Sequence, residues 1–228
     1  MSGVFDGSSF LSTAVDVTAG ATVAAFAAWV KTTSQFANQA VLSVSDASAS
    51  LDFLSLLLRG DLTGDPVGLW SYRSSQQHYA NTSSSYTTGT WLHVAAIATD
   101  NGAGKVWLNG GGVDVDASGA FPINRDTTSI GRTVRTSYTY DFLGNIAEPA
   151  IWADPDAAAF EAALPRLASG FRPVHVLSLR DELVMYQSLL SGANTAEAIG
   201  PALTNTGVTF NAGDHPTLVY PPEWAMGA

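Results

Sequence analysis

The chain has no cysteine among its 228 residues and only two lysines, Lys31 and Lys105. Without cysteine there is no disulfide and no thiolate metal site, so stability has to come from a packed core or from neighbouring subunits. Ten Lys and Arg against twenty Asp and Glu give a formal charge of −10. A phosphate backbone is held by clustered Lys and Arg with release of counterions; no such cluster exists, which speaks against nucleic acid as a partner. Charged residues make up 13% of the chain, about half the usual share, so Ser, Thr, Gly, Ala and Asn cover much of the surface. Long apolar runs are missing as well. The most apolar early stretch, "ATVAAFAAWV" (21–30), falls short of the roughly 20 residues a spanning helix needs, and no membrane partner is expected. The N-terminal "MSGVFDGSSF" has neither a basic n-region nor an apolar h-region, which reads as a chain made and folded in a cytoplasm.

What remains favours short strands between turn signals, the pattern of a sandwich or barrel. "VFDGSSFLST" reads as two strands about an Asp6-Gly7 turn. In "TVAAFAAWVKT", Val23, Ala25, Ala27 and Trp29 share one face and Phe26 and Val30 the other. Both faces are apolar, which predicts a central strand covered on both sides. "QAVLSVSD", "SLDFLSLLLRG" and "VGLWSYRS" follow as strands, and "SSQQHYANTSSSYTTG" reads as a loop or an exposed edge strand. In "AGKVWLNGGGVDVDAS", Asn109-Gly110 predicts a hairpin, because both turn residues must take positive φ. "TWLHVAAIATD", "TSIGRT" and "YTYDFLGNIAEPAIW" complete the set. The period then changes. "DPDAAAFEAALPRLASG" (154–170) predicts one short helix near 155–168, with Asp154 as N-cap, Pro155 at the first helical position, Pro165 kinking or shortening it and Gly170 as its stop.

Four segments in order, "FDGSSFLST", "AAFAAWVKT", "TWLHVAAI…GAGKVWLNGG" and "SIGR…YDFLGNIAEPAIW", resemble the blocks of the laminin-G-like, concanavalin A-like lectin/glucanase jelly-roll family. The resemblance covers about residues 4 to 152 and implies an all-β fold, an antiparallel β-sandwich of jelly-roll type. Relatives often carry a segment similar to "ELVMYQSLLSGANTAEAIGPALTNTGVTF" ahead of the "FDG" block, whereas here it comes last. A jelly roll brings its first and last strands side by side, so such a move leaves the sheets intact. The expected organisation is therefore one domain over 1–228: a main sandwich (1–153), a helix (154–170), a segment completing the sheets in permuted order (171–210), and a Pro-rich docking tail (211–228). The late arrangement, with "ASGFRP" and "HPTLVYPP", also resembles a subgroup common in bacteriophage genomes. That resemblance implies a virion surface protein, synthesised in the host cytoplasm, with capsid or tail proteins as partners.

Catalytic chemistry is hard to place. The family's glucanase signature Glu-x-Asp-x-Glu is missing, and the five glutamates, Glu148, Glu161, Glu182, Glu197 and Glu223, are scattered, whereas glycoside hydrolysis needs two carboxylates facing one sugar. Asp114 and Asp116 alternate on one strand face, which reads as a solvated outer face. There is no Gly-x-Ser-x-Gly elbow, and "GAGK" (102–105) lacks the spacing of a phosphate loop and reads as a hairpin loop. The histidines His78, His93, His175 and His215 form no ligand pattern; His93 resembles the family's buried strand histidine, and His215 before Pro216 reads as a turn residue. No metal or other cofactor is expected, calcium being the one alternative kept open. Its candidate ligands are the loop acids Asp46, Asp61, Asp65, Asp100 and Asp126. Calcium-binding relatives carry Gly-x-Ile-Asp-Glu where this chain has "GNIAE", with Ala147 in place of the aspartate.

Two binding surfaces are expected instead. One is an aromatic and amide patch in "WSYRSSQQHYANTSSSY", with Trp70, Tyr72, Gln76, Gln77, His78, Tyr79, Asn81 and Tyr86, joined by a second patch at Tyr138 and Tyr140; aromatic faces with nearby amides suit sugar rings and equally suit protein contacts. The other is the apolar tail, with Leu218, Val219, Tyr220, Pro221, Pro222 and Trp224 as partner-docking residues. The leading expectation is a non-enzymatic phage virion surface protein, a capsid decoration or cement subunit that self-associates. The alternative is a glycan-binding adhesin or tail-appendage lectin module using the aromatic patch.

Overall fold

The computed structural model describes residues 2–35, 37–73, 76–100, 102–119, 121–137, 139–189 and 192–219. Its strands are β1 (Ser2–Asp6), β2 (Phe10–Thr13), β3 (Val23–Thr32), β4 (Asn38–Ser45), β5 (Asp52–Arg59), β6 (Pro66–Arg73), β7 (Gln76–Ser85), β8 (Leu92–Thr99), β9 (Gly102–Leu108), β10 (Gly111–Gly119), β11 (Thr127–Ile130), β12 (Leu143–Ala153), β13 (Leu183–Tyr186), β14 (Thr204–Thr206) and β15 (Thr209–Asn211). One helix, α1 (Ala157–Ala168), follows β12. The strands form two antiparallel sheets. The first runs β10-β9-β8-β3-β12-β1-β15, with β13 also paired to β12; the second runs β14-β2-β11-β4-β5-β6-β7. This is the expected antiparallel sandwich with a single short helix.

Alternation decides which side chains fill the space between the sheets. Ala24, Phe26, Ala28 and Val30 of β3 meet Leu54, Leu56 and Leu58 of β5 in one core. The opposite face of β3, at Ala25 and Ala27, lies in a second core with Trp107, Trp152 and the α1 residues Phe160, Leu164 and Leu167. So β3 is covered on both sides, once by the facing sheet and once by the helix. Small residues at 25, 27 and Ala95 leave room for the helix to approach the sheet closely.

The late segment adds strands at the margins of both sheets: β13 pairs with β12, β14 with β2 and β15 with β1. Gly131, at φ +80, faces the Phe5 ring so closely that a Cβ would lie 2.3 Å from it. Only glycine combines that conformation with that approach.

Three local expectations need correction. The helix N-cap is Asp156, whose side chain accepts from the Ala159 amide at 2.8 Å; Asp154 instead turns back to β3, accepting from the Thr22 and Val23 amides at 2.7 and 2.9 Å. Pro165 does not end the helix, which continues to Ala168. The proline removes one backbone donor, and buried Leu164 and Leu167 hold the last turn against the sheet. "GAGK" is the opening of β9, paired with β8 and β10, and not a loop. The Asn109-Gly110 turn is as expected, with φ of 52° and 76°.

Candidate functional site

The second sheet turns its inner face to the core, while much of its outer face on β5, β6 and β7 carries polar and aromatic groups. Strand register fixes who neighbours whom there. Ser55 pairs with Trp70 and Trp70 with Tyr79; Phe53 pairs with Tyr72 and Tyr72 with Gln77; Leu57 pairs with Gly68 and Gly68 with Asn81. Phe53, Leu57 and Trp70 form a small apolar cluster of their own, with Tyr72 and Tyr140 packed against it.

The loop between β11 and β12 folds over this face. Tyr140 stacks on Trp70 with centroids 5.5 Å apart and planes at 26°, and its carbonyl accepts from the Ala40 amide at 2.8 Å. Arg135 lies against both Phe53 and Tyr140, its guanidinium 4.5 Å from each ring, and donates to the Ser50 carbonyl at 2.8 Å. Ser55, beneath the loop, bonds Ser43 at 2.7 Å and Thr133 at 3.0 Å. The two aromatic stretches that are about 60 positions apart in sequence thus meet in one patch. Tyr138 lies outside the described residues.

Arg59 enters the patch from the end of β5. Its guanidinium sits 4.7 Å from the Trp70 ring centroid and 5.8 Å from that of Tyr79, and it grips Asp61 through Nε (2.8 Å) and Nη2 (3.0 Å). Gly68 makes this reach possible: a Cβ there would lie 2.8 Å from Arg59 Cγ and 3.0 Å from Asn81 Oδ1. Tyr79 is the exposed member, with 53% of its surface open, while Trp70 is buried at 8%.

The expected site residues therefore divide. Trp70, Tyr72, Tyr79 and Asn81 share the outer face, as does Gln77. His78 has the opposite parity: it lines a small cavity with Leu54, Leu69 and Phe121, and its Nδ1 lies 4.0 Å from Asp116. Gln76 shares that parity and is exposed at the start of β7. Tyr86 is a core residue at 1% exposure, and burial, with Asp65 and Asp61 nearby, pushes its hydroxyl up to about 12. It cannot serve as a stacking surface, because its ring is already enclosed. Arg59, Arg135 and Gly68 had not been picked out. A basic residue at a strand end and a glycine within a strand have no distinctive sequence signal until register puts them beside the aromatics.

Asp114 and Asp116 join the two sheets at their free edges, more than lining a solvated face: Asp114 Oδ2 accepts from the Asn81 amide at 3.1 Å. The loop acids serve local ends too. Asp46 accepts from the Ser48 amide at 2.8 Å, Asp126 from Ala47 at 2.9 Å and Asp100 from Phe121 at 3.0 Å. Among the described residues no three His, Asp or Glu side chains come together in a group that could hold a metal ion.

A second polar cluster lies near residues 214–219. Glu148, at φ +52, occupies a bulge in β12 between its pairing with β1 and its pairing with β13. It accepts from Tyr186 and from Arg172 Nε (3.2 Å), while Arg172 Nη2 donates to Glu197 at 2.5 Å. Burial pulls against the Arg172 charge, but Glu197 and Glu148 hold it and raise its pKa; burial, reinforced by Glu148, raises that of Tyr186. Glu148 and Arg172 are 2% and 4% exposed, which suits a structural anchor. Over the same face runs the tail: Asp214 accepts from Lys31 Nζ at 3.1 Å and Trp91 Nε1 at 3.0 Å, His215 Nε2 lies 3.5 Å from Glu148 Oε1, and the Val219 amide donates to Gly170 at 2.9 Å. Leu218 and Val219, expected to dock on a partner, are half-buried, and Val219 bridges Phe171 of its own chain. Tyr220, Pro221, Pro222 and Trp224 lie outside the described residues.

The carbohydrate-binding module CBM40 of the Ruminococcus gnavus IT-sialidase, bound to α2,3-sialyllactose, superposes with a TM-score of 0.57 at 18% identity, covering 74% of this chain and 97% of that one. Domain 4 of AbnA, a GH43 extracellular arabinanase from Geobacillus stearothermophilus, in complex with arabinotriose, gives 0.58 at 22% identity over 73% of this chain and 76% of that one. The native heptameric SAP-like pentraxin of Limulus polyphemus gives 0.62 at 13% identity over 91% and 93%. At these identities the likeness is one of fold. No curated protein matches the chain. Residues 5–157 match the model of the concanavalin A-like lectin/glucanases superfamily (Laminin_G_3), and the chain belongs to that superfamily.

Proposed function

We propose that this chain is a non-catalytic glycan-binding module whose sugar ring stacks on the outer face of the second sheet. The observation that carries the reading is the half-exposed Tyr79 ring set beside Trp70 in register, with Tyr140 stacked on Trp70 and amides at Gln77 and Asn81 on the same face. An aromatic platform with convergent polar groups is the form in which proteins hold sugars. Support comes also from the similar structures, which include a sialidase's carbohydrate-binding module and an arabinanase domain complexed with arabinotriose. On this reading no catalytic role falls to the acids near the patch: Asp61 is bound to Arg59 and Asp114 to the Asn81 amide.

The capsid-decoration role implied by the order of the late segments receives no support from these relatives, and the glycan reading takes its place. Attachment to a phage particle and self-association are compatible with it as the setting in which a lectin module works. The test is an oligosaccharide binding screen on the purified chain, comparing the native protein with Tyr79→Ala. Saturable binding that the substitution weakens supports the reading; absence of binding across neutral and acidic sugars overturns it.

A further inference from the structure

We infer that the patch prefers neutral to acidic sugars and that Asp61 sets this preference; the inference rests on the glycan-binding reading above. The cation beneath Tyr79 is Arg59, 6% exposed. Two parallel hydrogen bonds, at 2.8 and 3.0 Å, tie it to Asp61, the bidentate form that matches a guanidinium to a carboxylate. The pair is lopsided towards solvent: 41% of the Asp61 side chain is open against 7% of Arg59. What an incoming ligand meets at this end is therefore a carboxylate, which the Arg59 hydrogen bond holds below its ordinary pKa and hence ionised at neutral pH.

The β7 edge of the patch carries the same sign. Asp114 is exposed and sits on the Asn81 amide, two residues along β7 from Tyr79. Arg135, the other guanidinium of this face, is buried against Phe53 and Tyr140 and donates to the Ser50 carbonyl. Arg73 lies 3.8 Å from Asp100. A sugar carboxylate stacked at Tyr79 would face two carboxylates and cations already engaged, within a chain of formal charge −10. Like charges placed together at an interface reject a partner.

A neutral ring finds matching groups instead. Arg59 Nη1 and Asn81 Oδ1 are buried with no hydrogen-bond partner, and both side chains crowd the space above Gly68. One is a donor and the other an acceptor, and the exposed amide of Gln77 on the same face offers a neutral ring both kinds of group.

The test uses matched pairs of trisaccharides differing only in oxidation at C6, such as galactotriose and trigalacturonate, cellotriose and its uronate, mannotriose and trimannuronate, titrated at low salt where charge is least screened. In any pair that binds, the neutral member is expected to bind at least about tenfold tighter. Asp61→Asn should narrow that gap by about threefold or more as the Arg59 charge is uncovered. Asp114→Asn, at an exposed position, should narrow it as well and serves if Asp61→Asn does not fold. An acidic member that binds as tightly as its neutral partner overturns the preference while leaving glycan binding intact. A gap unmoved in the folded variants overturns the role of the two acids. Failure of every sugar to bind overturns the glycan reading and this inference with it.

Discussion

The Tyr186 hydroxyl and Arg172 Nε donate to the same oxygen, Glu148 Oε2, and so tie β13 and the turn after α1 to the bulge of β12. The bulge is where β12 exchanges one neighbour for another, β1 up to Ile146 and β13 from Ala150. A break in pairing leaves backbone and side chain to be satisfied by other means, and this cluster supplies them. Removing one partner of a buried charged pair leaves the other uncompensated. Glu148→Ala should therefore cost about 3 kcal/mol or more. Tyr186→Phe should cost roughly 1.5–3 kcal/mol, the range for a hydrogen bond to a charged group. Glu197→Ala, at the exposed end, should cost under about 1 kcal/mol. Urea denaturation of the three variants checks the order.

Trp70 and Tyr79 are neighbours with opposite expected behaviour. Trp70→Ala empties part of the cluster with Phe53 and Leu57 and should destabilise by about 3–5 kcal/mol. Tyr79→Ala removes an exposed ring and should stay within about 0.5 kcal/mol of native while weakening sugar binding. Equilibrium unfolding and sugar titration on the same two proteins separate the roles.

His93 provides a pH dependence. It is enclosed in β8 against Trp29, and burial pushes its pKa down from 6.5 to about 3. The folded state thus binds the proton less readily than the unfolded chain. Its contribution to stability is fully present above pH 6.5 and is lost as pH falls towards about 3. The unfolding free energy should begin to decline below pH 6.5, above the range where most carboxylates titrate, and His93→Phe should flatten the decline between about pH 6.5 and 5. Denaturant melts at half-unit pH steps measure both slopes.

Two glycines should respond differently to alanine. At Gly131 the added Cβ meets the Phe5 ring at 2.3 Å with φ at +80, so Gly131→Ala should cost more than about 3 kcal/mol from strain and clash together. At Gly68 it meets the flexible Arg59 and Asn81 side chains, which can shift, so Gly68→Ala should cost about 1–2 kcal/mol. It should weaken sugar binding by displacing those two groups. Thermal melts and titrations of the pair check this.

Asp214 anchors the tail through Lys31 and Trp91. Asp214→Ala should speed hydrogen exchange at the Val219 amide, which bonds to Gly170, without changing exchange in β5, on the other sheet. Amide-resolved exchange reads the effect directly.

The strands were legible because alternation, turn residues and apolar content agreed at each of them. In β3 two apolar faces foretold two coverings, and Asn109-Gly110 foretold its hairpin. The helix cap was missed because Asp154 and Asp156 both suit an N-cap, and only the contact of Asp154 with Thr22 and Val23 decides between them. The candidate patch was half legible. Aromatic content marked its stretch, but parity placed Tyr79 outward and His78 inward, and the core claimed Tyr86. That Tyr140 lies on Trp70, and that Arg59 passes over Gly68 to Trp70 and Tyr79, follows from loop path and register. Neither is encoded in any local run of residues. The cluster joins Glu148 to Arg172 and Tyr186, 24 and 38 positions further along, with no local pattern to announce it.

The most direct test of the glycan assignment is calorimetric titration of a panel of neutral trisaccharides into the native chain and into Tyr79→Ala. At least one sugar should bind the native chain saturably, and the substitution should weaken it by about tenfold or more, some 1.4 kcal/mol, with the melting temperature unchanged. Binding that Tyr79→Ala leaves untouched would contradict the placement of the site, and no binding to any sugar would contradict the function itself.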